Sequence, residues 1–442
     1  MDRKNTRVKI VGAGLAGCEA SYFLAERGIP VELYECKPKR YSLVHSSADF
    51  AELVCSNSLK SNDVYANACG LLKEEMRKFG SIIMEAAEFA KIPAGGALAV
   101  ERDKFSQYIT AKIKSHANIT VIEEEVTELF QDGYTIVASG PLTLDSLANC
   151  IKEEFGEGLY FYDAVAPIID ADSIDMRYAF VGNRYNKGNG DYINCILTQE
   201  EYLAFVEALC IAERAPLHTF EKQEVFEGCM PIEVLAKRGV DSLRFAMLKP
   251  VGLYDKAGKR PYAVLQLRKE NQEGTAYNLV GCQTNLKFAE QRRVFGLIPA
   301  LKNANYLRYG VMHRNTYIHS PKIVNTDLSC KKYSNIYFAG QITGVEGYVE
   351  SAASGLLTAL QILAKIQNKK ITWTRESVLG ALYWHQITMV ENFQPMNANY
   401  GILAPLQEQV RDKVKKRQKF AERALKNIDS IIEINNFNRK EQ

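Results

Sequence analysis

The sequence predicts an α/β fold: a parallel nucleotide-binding sheet, interrupted by a smaller inserted α/β domain. Three observations predict it. A GxGxxG turn, made by Gly12, Gly14 and Gly17, joins a β-rich run to a helical one. A second junction of the same kind stands near the other end of the chain, at Gly340. Between the two, from about residue 195, the texture changes to β-rich runs separated by turn signals such as Asp255–Gly258.

The segment RVKIVGAGLAGCEASYFLAERGIPVELYE reads as strand, tight turn, helix, strand. Residues 8–11 form the first strand. Ala20, Phe23 and Leu24 give the helix one apolar face, and the helix ends near Gly28. Residues 31–34 form the second strand, with Glu35 at its end. Glycines here admit the backbone to a pyrophosphate at the helix N-terminus, where free N–H groups and the dipole favour anions. Glu35 is placed to bond a ribose hydroxyl. Gly12, Ala13, Gly14, Leu15, Ala16, Gly17 and Glu35 are therefore candidate cofactor contacts.

A middle segment, TIVASGPLTL, runs from strand into Ser139 and Gly140. Residues 336–339 run into Gly340 and Gln341, followed by a loop with Gly344, Gly347 and Tyr348 and then a long apolar helix. One N-terminal fingerprint with a distant second nucleotide loop favours FAD over NAD as the resident cofactor. Gly340, Gln341, Gly344, Gly347 and Tyr348 join the candidate contacts. Tyr348 is a candidate ring near the isoalloxazine, because aromatic faces stack on flavins and pterins. The FAD domain is then discontinuous, with residues 1–194 and 309–442 bracketing an insertion at 195–308.

A length of 442 residues, 47% apolar and 24% charged, suits a globular enzyme of more than one domain. No apolar run reaches the ~18 residues of a membrane span. IVGAGLAG faintly mimics a signal peptide but is broken by glycines, so the protein is read as cytoplasmic. The ten cysteines include no CxxC or CxxxxC pair, which argues against a zinc ribbon and a redox dithiol and fits reduced thiols. Net charge is +3, but residues 411–442 hold ten Lys/Arg against five Asp/Glu, which is +5, leaving −2 for the rest. This basic helical C-terminal tail reads as a solvated helix or as a phosphate-contacting one.

Several blocks together resemble one family: GAGLAGCEA, FAELVCSNSLKS, IPAGGALAVERDKFS, FEGCMPIEVLAKRG, GTAYNLVGCQTNLK, YGVMHRNTYI and FAGQITGVEGYVESAASGL. From about Val8 to about Leu360 the chain is similar to the TrmFO family of folate- and FAD-dependent tRNA uracil-5-methyltransferases. The resemblance implies a Rossmann-like flavoprotein of the GidA/TrmFO type. It implies methylenetetrahydrofolate as one-carbon donor, NAD(P)H as reductant and a tRNA uridine as target, with ribosomal RNA as the alternative. The chain departs from the family pattern at Asn183–Gly188, at Ile196 and at His45 and Ser47, outside the cysteine and glycine motifs.

The resemblance also implies that Cys55 and Cys229 divide the roles of nucleophile at C6 and proton acceptor at C5 of uracil. Lys60 stands near Cys55 in sequence, and Lys237 and Arg238 follow Cys229. Nearby cations favour a thiolate. The other cysteines read as small buried hydrophobes. His313, Arg314 and Asn315 are candidate folate contacts, and Lys249, Arg260 and Arg268 candidate phosphate contacts. A flavin disulfide reductase lacks support without a dithiol. The larger flavin- and folate-using enzymes of wobble uridines carry a long helical extension for which this chain has little room. An RNA-binding flavoprotein without activity is the reading of another class.

Overall fold

The computed structural model describes residues 6–42, 44–156, 159–186, 190–215, 230–390 and 393–437. The strand Val8–Val11 lies at the centre of a five-stranded parallel sheet. Across the sheet the order is Ile336–Phe338, Tyr134–Val137, Val8–Val11, Val31–Glu35, Ile119–Glu123. The order reverses at the central strand, and the carboxyl ends of strands beside such a switch point form a crevice for ligands. All three strand–glycine junctions seen in the sequence fall at that end.

The helix Leu15–Ala25 is buried along its whole length against the helix Tyr348–Ile366. The second of these is long and apolar enough to cross a membrane by length and composition, although no such run was expected. It is the core helix here, and its apolar side chains are buried among the protein's own. One glycine permits the packing of the first helix on its strand, and another the packing of helix on helix. A Cβ at Gly17 would lie 1.8 Å from the Gly12 carbonyl oxygen, and one at Gly355 would lie 2.2 Å from that of Ala16.

A six-stranded antiparallel sheet forms the second layer. Its order is Ala179–Val181, Tyr192–Leu197, Ala263–Lys269, Ala276–Leu279, Ile168–Asp170, Tyr306–Arg308. The expected domain edge between 194 and 195 therefore cuts a strand, and the sheet begins at Ile168. The short strand Ile168–Asp170 is defined by partners more than 100 residues away, so its membership is not visible locally. The Asp255–Gly258 turn is present, with the Gly258 N–H 3.0 Å from the Asp255 carbonyl. Ahead of it lie the short helices Ile232–Ala236 and Ser242–Phe245 rather than a β-rich run. The chain enters and leaves this layer through an antiparallel ribbon, Leu159–Ala164 against Met312–Tyr317.

The basic C-terminal segment is not a detached tail. Its helix, Lys413–Asn435, starts at an Asp412 cap and sinks Phe420, Ala421, Ala424, Ile428 and Ile431 into the main core. Lys413, Lys415, Lys416 and Arg417 remain exposed.

Two tests bear on this packing. Gly355→Ala should destabilise the protein by about 1–3 kcal/mol through overpacking, read as a lower denaturation midpoint. An unchanged midpoint would contradict the close helix contact. The second concerns Glu75, fully buried, whose carboxylate oxygens accept the N–H groups of Val378 (2.8 Å) and Leu379 (2.7 Å). Burial raises its pKa from 4.5 to about 7, against the lowering effect of those two bonds. A carboxyl with a raised folded-state pKa contributes stability that is full below its unfolded value and is lost as pH rises through about 7. The stability advantage of the wild type over Glu75→Gln should thus shrink by up to ~3 kcal/mol between about pH 5 and about pH 8. Urea midpoints at the two pH values measure it, and an advantage that grows with pH would refute the assignment.

Candidate active site

The crevice at the carboxyl end of the parallel sheet encloses about 1170 Å³, open mouth included. Gly12, Gly14, Glu35, Gly140, Gly340 and Tyr348 are among the residues that line it. The glycines do different work. Gly12 has φ +101°, and a Cβ there would lie 2.7 Å from the Ala138 carbonyl oxygen. At Gly14 a Cβ would meet no protein atom within 4 Å and would project into the crevice. Gly17 serves the packing of helix on strand. The cradle thus offers bare backbone at the start of the helix Leu15–Ala25, which suits a pyrophosphate.

Glu35 is buried at the second strand's end. It accepts the Ala13 N–H at 2.8 Å and the Lys37 N–H at 3.0 Å, one on each oxygen. Those bonds fix its orientation and leave lone pairs for a ribose hydroxyl. Leu15, Ala16, Gly340 and Gln341 line the crevice as expected, and Ser139 and Gly140 join them. Gly344 and Gly347 do not line it. A Cβ at Gly344 would strike the Phe393 ring at 2.4 Å, and one at Gly347 would strike Glu350 Oε2 at 2.2 Å. Both are turn positions with positive φ, and they shape the loop rather than wall the crevice.

Cys55 stands at the edge of this crevice. Its neighbour Val54 lines the wall, and Tyr348 holds the loop. The Tyr348 hydroxyl oxygen accepts the N–H groups of Cys55 (2.7 Å) and Ser56 (3.1 Å). Burial, and next the charge of the adjacent Cys55, push the Tyr348 phenol well above its ordinary pKa, so it stays protonated. Tyr348 therefore connects the cofactor crevice to the thiol's backbone.

The cations around Cys55 are not the one expected. Lys60 turns to Glu350, at 3.1 Å. Three arginines distant in sequence take its place. Arg102 donates to the carbonyls of Leu53 (2.6 Å) and Val54 (3.4 Å) and pairs with Glu270 at 2.8 Å. Arg268 donates to Asn57 Oδ1 at 2.8 Å and Ser56 Oγ at 2.7 Å. Arg308 donates to the Val54 carbonyl. Arg268 and Arg308 come from the second sheet, which also receives Asn57 Nδ2 on the Lys269 carbonyl at 2.8 Å. The insertion therefore folds over the Cys55 loop. Of the three expected phosphate contacts, Arg268 is thus built into the site, whereas Lys249 and Arg260 are exposed. Chain spacing carried no signal for Arg102 and Arg308.

Cys229 lies outside the described residues; Met230 and the helix Ile232–Ala236 follow it directly. His313, Arg314 and Asn315 sit on the ribbon strand opposite Asp163, Tyr162 and Phe161, and their side chains lie outside what is described. That ribbon touches the crevice loops through backbone bonds from Thr316 to Pro141 and from Ile318 to Ile342. Cys18, Cys69, Cys195, Cys282 and Cys330 are buried, as expected, while Cys36, Cys150 and Cys210 are half-buried.

The family model described as glucose inhibited division protein A matches residues 7–370. A relative from Acetivibrio thermocellus, named methylenetetrahydrofolate--tRNA-(uracil-5-)-methyltransferase TrmFO, is 54% identical over 429 residues, covering 96% of this chain and 98% of its own. The protein of the same name from Listeria monocytogenes serovar 1/2a is 53% identical over 431 residues, covering 96% and 99%. The chain belongs to the TrmFO family. Crystalline Aquifex aeolicus GidA shares the fold, with a TM-score of 0.70 at 15% identity over 99% of this chain and 77% of that one. The family's flavoprotein fold agrees with the glycine cradle and with Glu35, which together fit FAD.

The different roles of the glycines give a test. Gly14→Val should fold with near wild-type stability yet lose FAD on purification, because its side chain enters the crevice. Gly17→Val should fail to fold, because its side chain meets backbone. Stoichiometric FAD in folded Gly14→Val protein, measured by absorbance after denaturation, would remove Gly14 from the cofactor site.

Proposed function

We propose that this protein is a folate- and FAD-dependent methyltransferase that forms 5-methyluridine in the T-loop of tRNA, with methylenetetrahydrofolate as carbon donor and NAD(P)H as reductant. The observation that carries the reading is the Cys55 loop at the edge of the glycine-lined crevice, in a chain matched nearly end to end by relatives of that name. A cytoplasmic location goes with such a substrate.

Uracil C5 is a poor nucleophile until a thiolate adds at C6. The addition makes an enolate, and C5 can then attack an electrophilic methylene and afterwards lose its proton. The flavin, when bound and reduced by NAD(P)H, would supply the hydride that turns the resulting methylene into a methyl group, and collapse of the enolate so formed expels the thiolate from C6. Gly12, Gly14, Glu35 and Gly340 hold the cofactor. Cys55 and Cys229 are the two thiols for addition at C6 and proton removal at C5. Tyr348 is a positioning residue: it fixes the backbone of Cys55 and touches the crevice at once. His313, Arg314 and Asn315 are proposed to face the folate.

Incubation with methylenetetrahydrofolate, NAD(P)H and unmodified total RNA, followed by mapping of 5-methyluridine, tests the function. Label in the tRNA T-loop is expected. Label confined to ribosomal RNA would move the target, and no label in any RNA would leave a flavoprotein without this activity. Cys55→Ala should retain FAD, since Cys55 lies in no glycine turn, and should lose turnover by on the order of 10²-fold or more. Wild-type turnover in both Cys55→Ala and Cys229→Ala would return these thiols to simple packing.

A further inference from the structure

The three arginines around Cys55 carry more charge than the loop needs. Arg102 is matched by Glu270. Among the described residues, Arg268 and Arg308 pair with no carboxylate. The site therefore holds three guanidinium groups against one carboxylate, a surplus of two positive charges. Arg268 is only 7% exposed, and Arg308 is partly buried. Desolvation lowers the pKa of both, which marks the same cost of burying their charge. A buried charge without a counter-charge is strongly destabilising, and folds keep such groups where something compensates them.

Besides Cys55 itself and Glu270, which Arg102 already engages, the titratable groups near them do not compensate. Tyr192 and Tyr348 are held above their ordinary pKa, chiefly by burial, and are neutral. Bracing the loop does not use the donors up either. Arg308 spends one N–H on the Val54 carbonyl, and its Nε and Nη1 bond to nothing among the described residues. Neither atom is sealed from open space. Both guanidinium groups attach to residues directly flanking Cys55, so any anion they take lies beside that thiol.

We propose that Arg268 and Arg308 form an oxyanion site for the enolate oxygen that develops on the target uracil. The inference rests on the methyltransferase reading above. In the step concerned, the sulfur lone pair forms the S–C6 bond. The C5=C6 π pair moves to C4–C5, and the C4=O π pair moves onto O4. The negative charge passes from sulfur to O4, and no proton moves. C4 adjoins C5, so O4 stays near Cys55 whether Cys55 faces C5 or C6. Donors preorganised in a water-poor site act most strongly on charge that appears only during reaction. A nucleic-acid phosphate is the other oxyanion this chemistry admits. Burial favours the base, because enzymes acting on a base take it into an enclosed pocket while its backbone stays nearer solvent.

The test uses the full-length, FAD-loaded protein, an unmodified tRNA transcript and a transcript containing 5-fluorouridine. Arg308→Met and Arg268→Met should keep FAD and bind tRNA within about 2-fold of wild type, and should slow turnover and formation of the covalent 5-fluorouridine adduct by about 10²–10³-fold. Arg308→Lys should recover most of that loss, and added ethylguanidinium should accelerate Arg308→Met. Unchanged adduct rates in both Met variants would overturn the proposal. So would a loss confined to tRNA affinity with a salt slope reduced by about one, which marks a phosphate contact. Loss of FAD in both Met variants would overturn it as well, by making the arginines mere braces. Absence of methylation by the wild type in the same assay would instead sink the methyltransferase reading itself.

Discussion

Gly355 lets the helix Tyr348–Ile366 press so closely on the helix Leu15–Ala25 that a methyl group at 355 would sit 2.2 Å from the Ala16 carbonyl oxygen. The two helices come from opposite ends of the chain, and much of the site depends on their approach. It sets Gly340 against Ala16, where a Cβ would come within 2.9 Å, so both glycine turns face one crevice. It also fixes the first residue of the second helix, Tyr348, beside the loop of Cys55. Glycine inside a helix costs roughly 0.5–1 kcal/mol relative to alanine. Here that cost is the condition for bringing two distant segments onto one cofactor.

The second sheet is more than a cover. Its strands Ala263–Lys269 and Tyr306–Arg308 deliver Arg268 and Arg308 to the carbonyls and side chains around Cys55, and Asn57 returns a bond to the Lys269 carbonyl. The Cys55 loop is thus held from both sides, by Tyr348 from the flavin domain and by guanidinium groups from the insertion. Hydrogen bonds to buried charged groups are stronger than neutral ones, which makes them suited to fixing a short loop with no regular structure of its own.

The strand–turn–helix–strand unit from Val8 to Glu35 was legible in sequence because every contact that defines it is local. The β period, the glycine spacing and the helical apolar face all lie within one window. The second glycine junction and the Ser139–Gly140 junction were legible for the same reason. The strand Ile168–Asp170 was not, since three residues carry no period and its partners lie far along the chain. Lys60 misled because nearness in sequence says little about direction: its ammonium reaches Glu350, from the other end of the domain. Gly344 and Gly347 shared their motif with true lining residues, but a motif cannot tell a glycine that opens space for a ligand from one that permits a turn. The arginines around Cys55 were the least legible part, because residues 102, 268 and 308 meet only once the insertion has folded over.

The position of the Tyr348 hydroxyl settles where its proton points. A phenol oxygen offers two acceptor lone pairs and one O–H. The N–H groups of Cys55 and Ser56 occupy the acceptor side at 2.7 and 3.1 Å. Burial keeps the phenol protonated, so the O–H remains as a donor and is directed away from those two amides. Tyr348 also lines the crevice, so a neutral donor, rather than a phenolate, sits where the flavin domain meets the thiol loop. Guanidinium groups thus brace the Cys55 loop from the insertion side, and a neutral hydroxyl braces it from the flavin side. That asymmetry leaves the thiol loop at the seam between a cationic wall and a neutral one.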